Sequence, residues 1–178
     1  MRALPALSLA FTLLCLPALA DTAPKPKQPR PTGPLAIGTF EDWTAATDKE
    51  AGQMICYAFT RARDSKPAVP GRGDVVLTVT ERPSGRDAVA ISAGFAFTAD
   101  AIGKLVVENE SFELYTSQRS AFARDGHAVV RSMERGKQAV MHAPGPKDAA
   151  VTDTFSLRGF KHAYEAIVKR CPAVKKGG

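Results

Sequence analysis

From Leu35 onward the chain runs in short stretches in which β-branched, aromatic and other apolar residues alternate with polar ones, each stretch closed by Gly, Pro, Asp or Asn. That is the pattern of strands and turns. It predicts residues 40–47 and 53–60 as a first pair, and residues 74–81, which hold Val-Val-Leu-Thr-Val-Thr, as the strongest strand. Residues 89–93, 104–108 and 112–116 follow, the last two joined by a hairpin turn at Glu108-Asn109-Glu110-Ser111. Residues 138–142 and 151–155 make a later pair around the Pro- and Gly-rich turn at 143–148. No strand–helix–strand rhythm is present, which argues against a parallel doubly wound sheet. The expected fold class is mainly β: an antiparallel β-sandwich or barrel-like domain with a short helix and a C-terminal amphipathic helix.

The short helix is expected over residues 125–135, with Ala128, Val129 and Met133 on one face and Gly136 ending it. The second is expected after Ser156 as N-cap. There Phe160, Ala163, Tyr164, Ile167, Val168 and Cys171 recur at helical spacing, while Lys161, Glu165 and Lys169 face water and Pro172 stops the helix.

The N-terminus sets a different expectation. Arg2 precedes an apolar run from Leu4 to Leu19, and Ala18-Leu19-Ala20 is a small-x-small cleavage site before Asp21. Residues 1–20 therefore read as a cleaved secretory signal peptide, which makes the protein periplasmic or secreted with no transmembrane span after cleavage. Residues 21–34 read as a Pro-rich basic linker, with five prolines among residues 24–34. A single domain is expected over 35–172, followed by a basic tail at 173–178. Cys15 leaves with the leader, so Cys56 and Cys171 remain, and an even count in an oxidising compartment predicts one disulfide between them.

Charge narrows the partners. The chain has 24 basic and 18 acidic residues; losing Arg2 leaves 23 against 18, or +5. The excess lies at the ends, because residues 35–168 hold 16 basic and 17 acidic residues. Nucleic acid is thus not the expected partner. Weak, salt-sensitive association of the basic termini with an anionic membrane surface is.

Candidate chemistry is sparse. His127, His142 and His162 fall on separate elements without metal-ligand spacing, so no metal and no cofactor are expected. Ser92 lacks the nucleophile-elbow glycine pattern; a hydrolase would need a convergent site assembled from distant Ser, His and acid residues. The carboxylate pairs Glu41-Asp42 and Glu108 with Glu110 fall in turns, where water ordinarily solvates them. Arg72-Gly73-Asp74 is a tripeptide that integrins read, but Gly71 and Gly73 form a turn and Asp74 opens the best strand, so the motif also has a structural reason to exist. Trp43, the only tryptophan, is expected in the core. No catalytic, cofactor-binding or metal residue is assigned.

Asp42-Trp43, Cys56, Arg72-Gly73-Asp74, the run Ser111 to Tyr115, Met133-Glu134-Arg135-Gly136, the run Asp153 to Phe160 and the closing Lys169-Arg170-Cys171 together form a recognisable set. Over about Phe40 to Cys171 the chain resembles the invasion associated locus B family of exported Gram-negative proteins. The resemblance implies a mainly β periplasmic or secreted domain with no assigned catalytic residues, and many relatives carry a cysteine at the position of Thr47. It implies no known ligand, and its name is taken from a role in host-cell entry. The expected function is a non-enzymatic module that binds an unknown protein or envelope component. A small periplasmic hydrolase with a convergent Ser/His/acid site is the alternative reading.

Overall fold

The computed structural model describes residues 33–174. The expected signal peptide, Cys15, most of the Pro-rich linker and the end of the basic tail lie outside them. Eleven strands, β1 (Leu35–Phe40), β2 (Trp43–Glu50), β3 (Gln53–Arg61), β4 (Asp64–Lys66), β5 (Val76–Arg82), β6 (Gly85–Ser92), β7 (Ile102–Val107), β8 (Glu110–Ser117), β9 (Ser120–Ala123), β10 (Gln138–Pro144) and β11 (Ala150–Ser156), form one sheet with helices α1 (Gly126–Met133) and α2 (Phe160–Arg170). The order is β1-β2-β3-β5-β6-β9-β8-β7-β10-β11-β4, and every pairing is antiparallel.

The sheet doubles back because one stretch of chain serves both of its regions. β3 pairs with β2 and β5, then passes through Ala62 and Arg63 into β4, which pairs with β11 at the far edge. Along that seam Arg63 N–H donates to Thr154 O (2.8 Å), Asp42 N–H to Arg158 O (3.3 Å), and the Trp43 indole N–H to Ser156 O (2.9 Å). The enclosed faces supply a core that includes Trp43, Leu77, Ile91, Leu105, Leu114, Met141 and Phe155. Trp43 is fully buried, as the sequence predicts, and its ring meets Phe160 at 4.7 Å between centroids.

Both helices close this core. Asp125 caps α1, its carboxylate accepting the Ala128 N–H at 2.9 Å. α2 lies against β1, β2 and β3 with Phe160, Ala163 and Ile167 buried. Cys171, just past the end of α2, is disulfide-bonded to Cys56 on β3 across a sequence separation of 115, with the Cα atoms 5.9 Å apart. Among the described residues no helix is long and apolar enough to cross a membrane.

Several boundaries differ from the sequence pattern, each for a local reason. The expected strand 40–47 is interrupted: Phe40 ends β1, Glu41 turns at φ 50°, and Trp43 starts β2 directly opposite Phe40. Two apolar residues flanking two acids look like one strand when no glycine marks the turn. β4 and β9 were not expected, because three polar residues and Ser-Ala-Phe-Ala carry too little alternation to register. Asp74 precedes β5 instead of opening it. Ser156 does not cap α2; it ends β11 and its hydroxyl donates to Asp42 (2.6 Å). Gly159 takes the capping position at φ 84°, and a Cβ there would lie 2.0 Å from Phe40 O, so the approach of α2 to the β1–β2 turn requires glycine.

Candidate functional site

The recognition-like tripeptide is consumed by the fold. Gly71 turns at φ 71°, which sends Arg72 inward rather than to solvent. Its guanidinium grips Asp153 with two parallel bonds, Nη1 to Oδ1 at 2.9 Å and Nη2 to Oδ2 at 2.7 Å, while Nε donates to Ala93 O at 2.7 Å. The two side chains are 7% and 0% exposed. The Phe95 ring lies 5.0 Å beneath the guanidinium carbon. Gly73 N–H donates to Gly94 O at 3.0 Å, and the Asp74 side chain is exposed and paired with Arg61 at 3.3 Å. Of the two charged side chains in Arg72-Gly73-Asp74 only that of Asp74 is presented; the Arg joins the loop before β5 to the middle of β11.

A second buried polar group lies where β5, β6, α1 and α2 meet. Leu77, Val79 and Glu81 share the inward face of β5, so alternation carries the Glu81 carboxylate into the core, where it is 0% exposed. The register slips between Thr80 and Arg82, and Asp87 on β6 adopts φ 54°, which turns its own N–H onto Glu81 Oε1 at 3.1 Å. Arg86 forms an ion pair with Glu81 and donates from Nη1 to Cys171 O at 2.6 Å. The Asp87 carboxylate receives the Tyr164 hydroxyl on Oδ1 at 2.6 Å and faces His127 Nδ1 from Oδ2 at 2.7 Å. Two strands, both helices and the disulfide thus converge on one acid pair.

Burial, followed by a hydrogen bond from the Glu81 carboxyl to that of Asp87, pushes Glu81 up to about 7 against the opposing pull of Arg86. Burial also acts to raise Asp87, but the hydrogen bonds from Tyr164, His127 and Glu81 outweigh it and hold the carboxyl below its ordinary value. The Tyr164 phenol is pushed well up by burial and by Asp87. Of the two acids, Glu81 is therefore the one that takes up a proton first as pH falls, and Asp87 the one that keeps its charge longest.

Of a Ser/His/acid site the structure assembles one pair. His127 meets Asp87, but Ser92 is on β6 between Val76 and Ser120, and no serine hydroxyl bonds His127 among the described residues. His142 is exposed and within 3.1 Å of the Thr152 hydroxyl, and His162 is exposed on α2. Glu41 pairs with Arg158 and Glu110 with Arg135 at the surface. Among the described residues no three of His, Cys, Asp and Glu gather as a metal site would need.

An open concavity lies on the seam where β4 meets β11. It has a volume of about 470 Å³ and is lined by Arg63, Glu108, Lys137, Gln138, Thr154, Phe155 and Ser156. Arg63 also lines a neighbouring depression of about 240 Å³ that includes Asp42 and Arg61. The acids here are engaged internally: Glu108 Oε1 accepts the Lys137 backbone N–H at 2.7 Å, and Asp42 accepts the Ser156 hydroxyl. Sequence reading named Glu108 and Asp42 only as solvated carboxylates and joined none of these residues into one site, because the groove's lining comes from four separate segments that only the fold-back brings together.

The family model described as Invasion associated locus B (IalB) protein matches residues 43–168. The chain belongs to the invasion associated locus B family. The match begins at Trp43 and ends inside α2, so it spans the Arg72–Asp153 grip, the Glu81–Asp87 pair and the groove. A similar solved structure is the crystal structure of invasion associated protein b from Bartonella henselae, at TM-score 0.55 and 16% identity, covering 76% of this chain and 96% of that one. That likeness establishes the fold of this family member. No curated protein matches the chain.

Proposed function

We propose that this invasion associated locus B family member is exported to the periplasm or beyond and acts there as a non-enzymatic module that binds a protein or envelope component, with a link to host-cell interaction. The observation that carries the reading is the use of its reactive side chains. Arg72, Asp153, Glu81, Asp87, His127 and Tyr164 bond one another across the fold, while cations at the seam groove stay open. The Cys56–Cys171 disulfide supports an oxidising compartment. In this reading residues 1–20 are removed, residues 21–34 form a basic linker, 35–172 are the working domain, and the linker with the 173–178 tail gives weak attraction to anionic surfaces.

Cell fractionation tests the proposal. The expected result is a processed, oxidised protein in the envelope fraction at low salt, released as salt rises, with the salt dependence flattened by deletion of 21–34 and 173–178. Recovery of unprocessed, reduced protein from the cytoplasm would refute export, and retention unchanged at every salt concentration would refute the electrostatic part.

A further inference from the structure

We propose that the seam groove is a binding site for an oxyanion group, a phosphate held between Arg63 and Lys137; this deepens the binding-module reading by giving it a site and a ligand chemistry. Arg61, Arg72, Arg82, Arg86, Arg124, Arg135, Arg158 and Lys66 all have a carboxylate within ion-pair distance. Among the described residues the Arg63 and Lys137 side chains have no carboxylate partner and no hydrogen bond, although both line the same concavity. Their position is built, not incidental. The Arg63 backbone is pinned by Thr154, and the Lys137 backbone is fixed on both sides, its N–H on Glu108 and its carbonyl accepting the Leu157 N–H at 3.0 Å. The two cations therefore line one concavity from anchored backbone.

The groove's own acid offsets only part of their charge. Glu108 has one oxygen committed to the Lys137 N–H, so the concavity holds two free cations against one engaged carboxylate. Arg63 offers a planar fork of donors suited to two oxygens of one group, and Lys137 offers a compact charge for a third. Gln138 and Thr154 line the same space with neutral polar groups. A volume of about 470 Å³ admits a small ligand. A phosphate brings enough negative charge to balance both cations, and it can arrive free in solution or displayed on a lipid headgroup.

The test uses the purified protein with two probes: inorganic phosphate, followed by calorimetry or amide chemical shifts, and phosphatidylcholine vesicles with and without phosphatidylglycerol. Binding to either probe should weaken about tenfold or more in Arg63→Gln and in Lys137→Gln, the loss expected for a charge-assisted contact. It should tighten in Glu108→Gln, which removes the like charge and keeps an acceptor for the Lys137 N–H. Arg131→Gln, an exposed α1 cation outside the groove, is the control for net charge and should change nothing. Response to phosphate alone assigns a soluble ligand, and response to anionic vesicles alone assigns a headgroup. Loss of binding to the same extent in Arg131→Gln, or binding to neither probe, would overturn the proposal. Because these titrations do not depend on where the protein resides, a negative result here leaves the fractionation outcome standing, and the reverse also holds.

Discussion

Replacing Glu81 by Gln should change how stability depends on pH far more than it changes the fold. The folded protein holds the Glu81 carboxyl at about 7 against an ordinary value of 4.5, so the folded state binds a proton that the unfolded state has released across that interval. The sign follows from the raised value: stability is fully present below about 4.5 and is lost as pH climbs through about 7. Converted at about 1.4 kcal/mol for each pH unit, the interval from 4.5 to about 7 is worth about 3 kcal/mol. For a domain of this size that corresponds to about 6–12 °C in Tm.

Asp87 acts outside this window. Its lowered value gives stability that is present above 3.8 and lost only as pH falls through the folded value. Gln keeps the shape of Glu and an acceptor for the Asp87 N–H but cannot ionise. Trp43, the only tryptophan and fully buried, reports unfolding by fluorescence in urea at each pH between 4.5 and 8. The wild-type protein should lose about 3 kcal/mol relative to Glu81→Gln across that range, with m-values unchanged. A gap that stays flat, or one in which the wild type gains as pH rises, would refute the reasoning that burial keeps Glu81 protonated.

Reduction of the Cys56–Cys171 disulfide, or its removal as the double Ala variant, should lower stability by about 2–5 kcal/mol, read as a Tm drop on adding reductant that the double variant does not show. Asp153→Asn leaves the Arg72 guanidinium 7% exposed without a charged partner and should cost about 3–5 kcal/mol by urea unfolding. Gly159→Ala places a methyl 2.0 Å from Phe40 O at φ 84° and should cost well over about 1 kcal/mol, with the α2 amides losing hydrogen-exchange protection first.

The elements most legible in the sequence are those in which alternation runs long enough to fix a face. Residues 53–60, 76–81 and 89–92 lie within strands β3, β5 and β6, and the α2 stripe of Phe160, Ala163 and Ile167 is buried as its spacing implies. With Cys15 read as part of the leader, two cysteines remain, and the disulfide was legible from that even count in an oxidising compartment. What the pattern hid is where polar residues occupy inward positions. Glu81 follows Leu77 and Val79 at period two, and Asp87 precedes Val89 and Ile91 in the same way, so the signal for a buried acid pair was present in the alternation. It was not visible that the two would meet, because the register slip that joins them depends on the β5–β6 pairing. The groove is harder still: Arg63, Glu108, Lys137 and Thr154 share no spacing, and only the passage of β3 into β4 at the far edge of the sheet makes them neighbours.

Many of the residues in the motifs quoted from the sequence fasten this fold-back. Arg72 grips Asp153, Trp43 donates to Ser156, Gly159 admits Phe40 O, and Cys56 holds Cys171; each tie joins the first three strands, or the loop before β5, to the end of the chain. Together they compensate for a topology in which β4 contributes only three residues at the sheet's last edge. A side chain committed to such a tie is not free to recognise a partner, and a partner that displaced it would leave a buried charge or carbonyl unpaired. These motifs therefore mark architecture, and under the proposed binding role recognition falls to groups that the ties position but do not use. At the seam those groups are Arg63 and Lys137, whose backbones are fixed by Thr154, Glu108 and Leu157 while their charges remain open. Substitutions at the ties should then lower stability and any binding together, whereas substitutions at these two cations should lower binding alone.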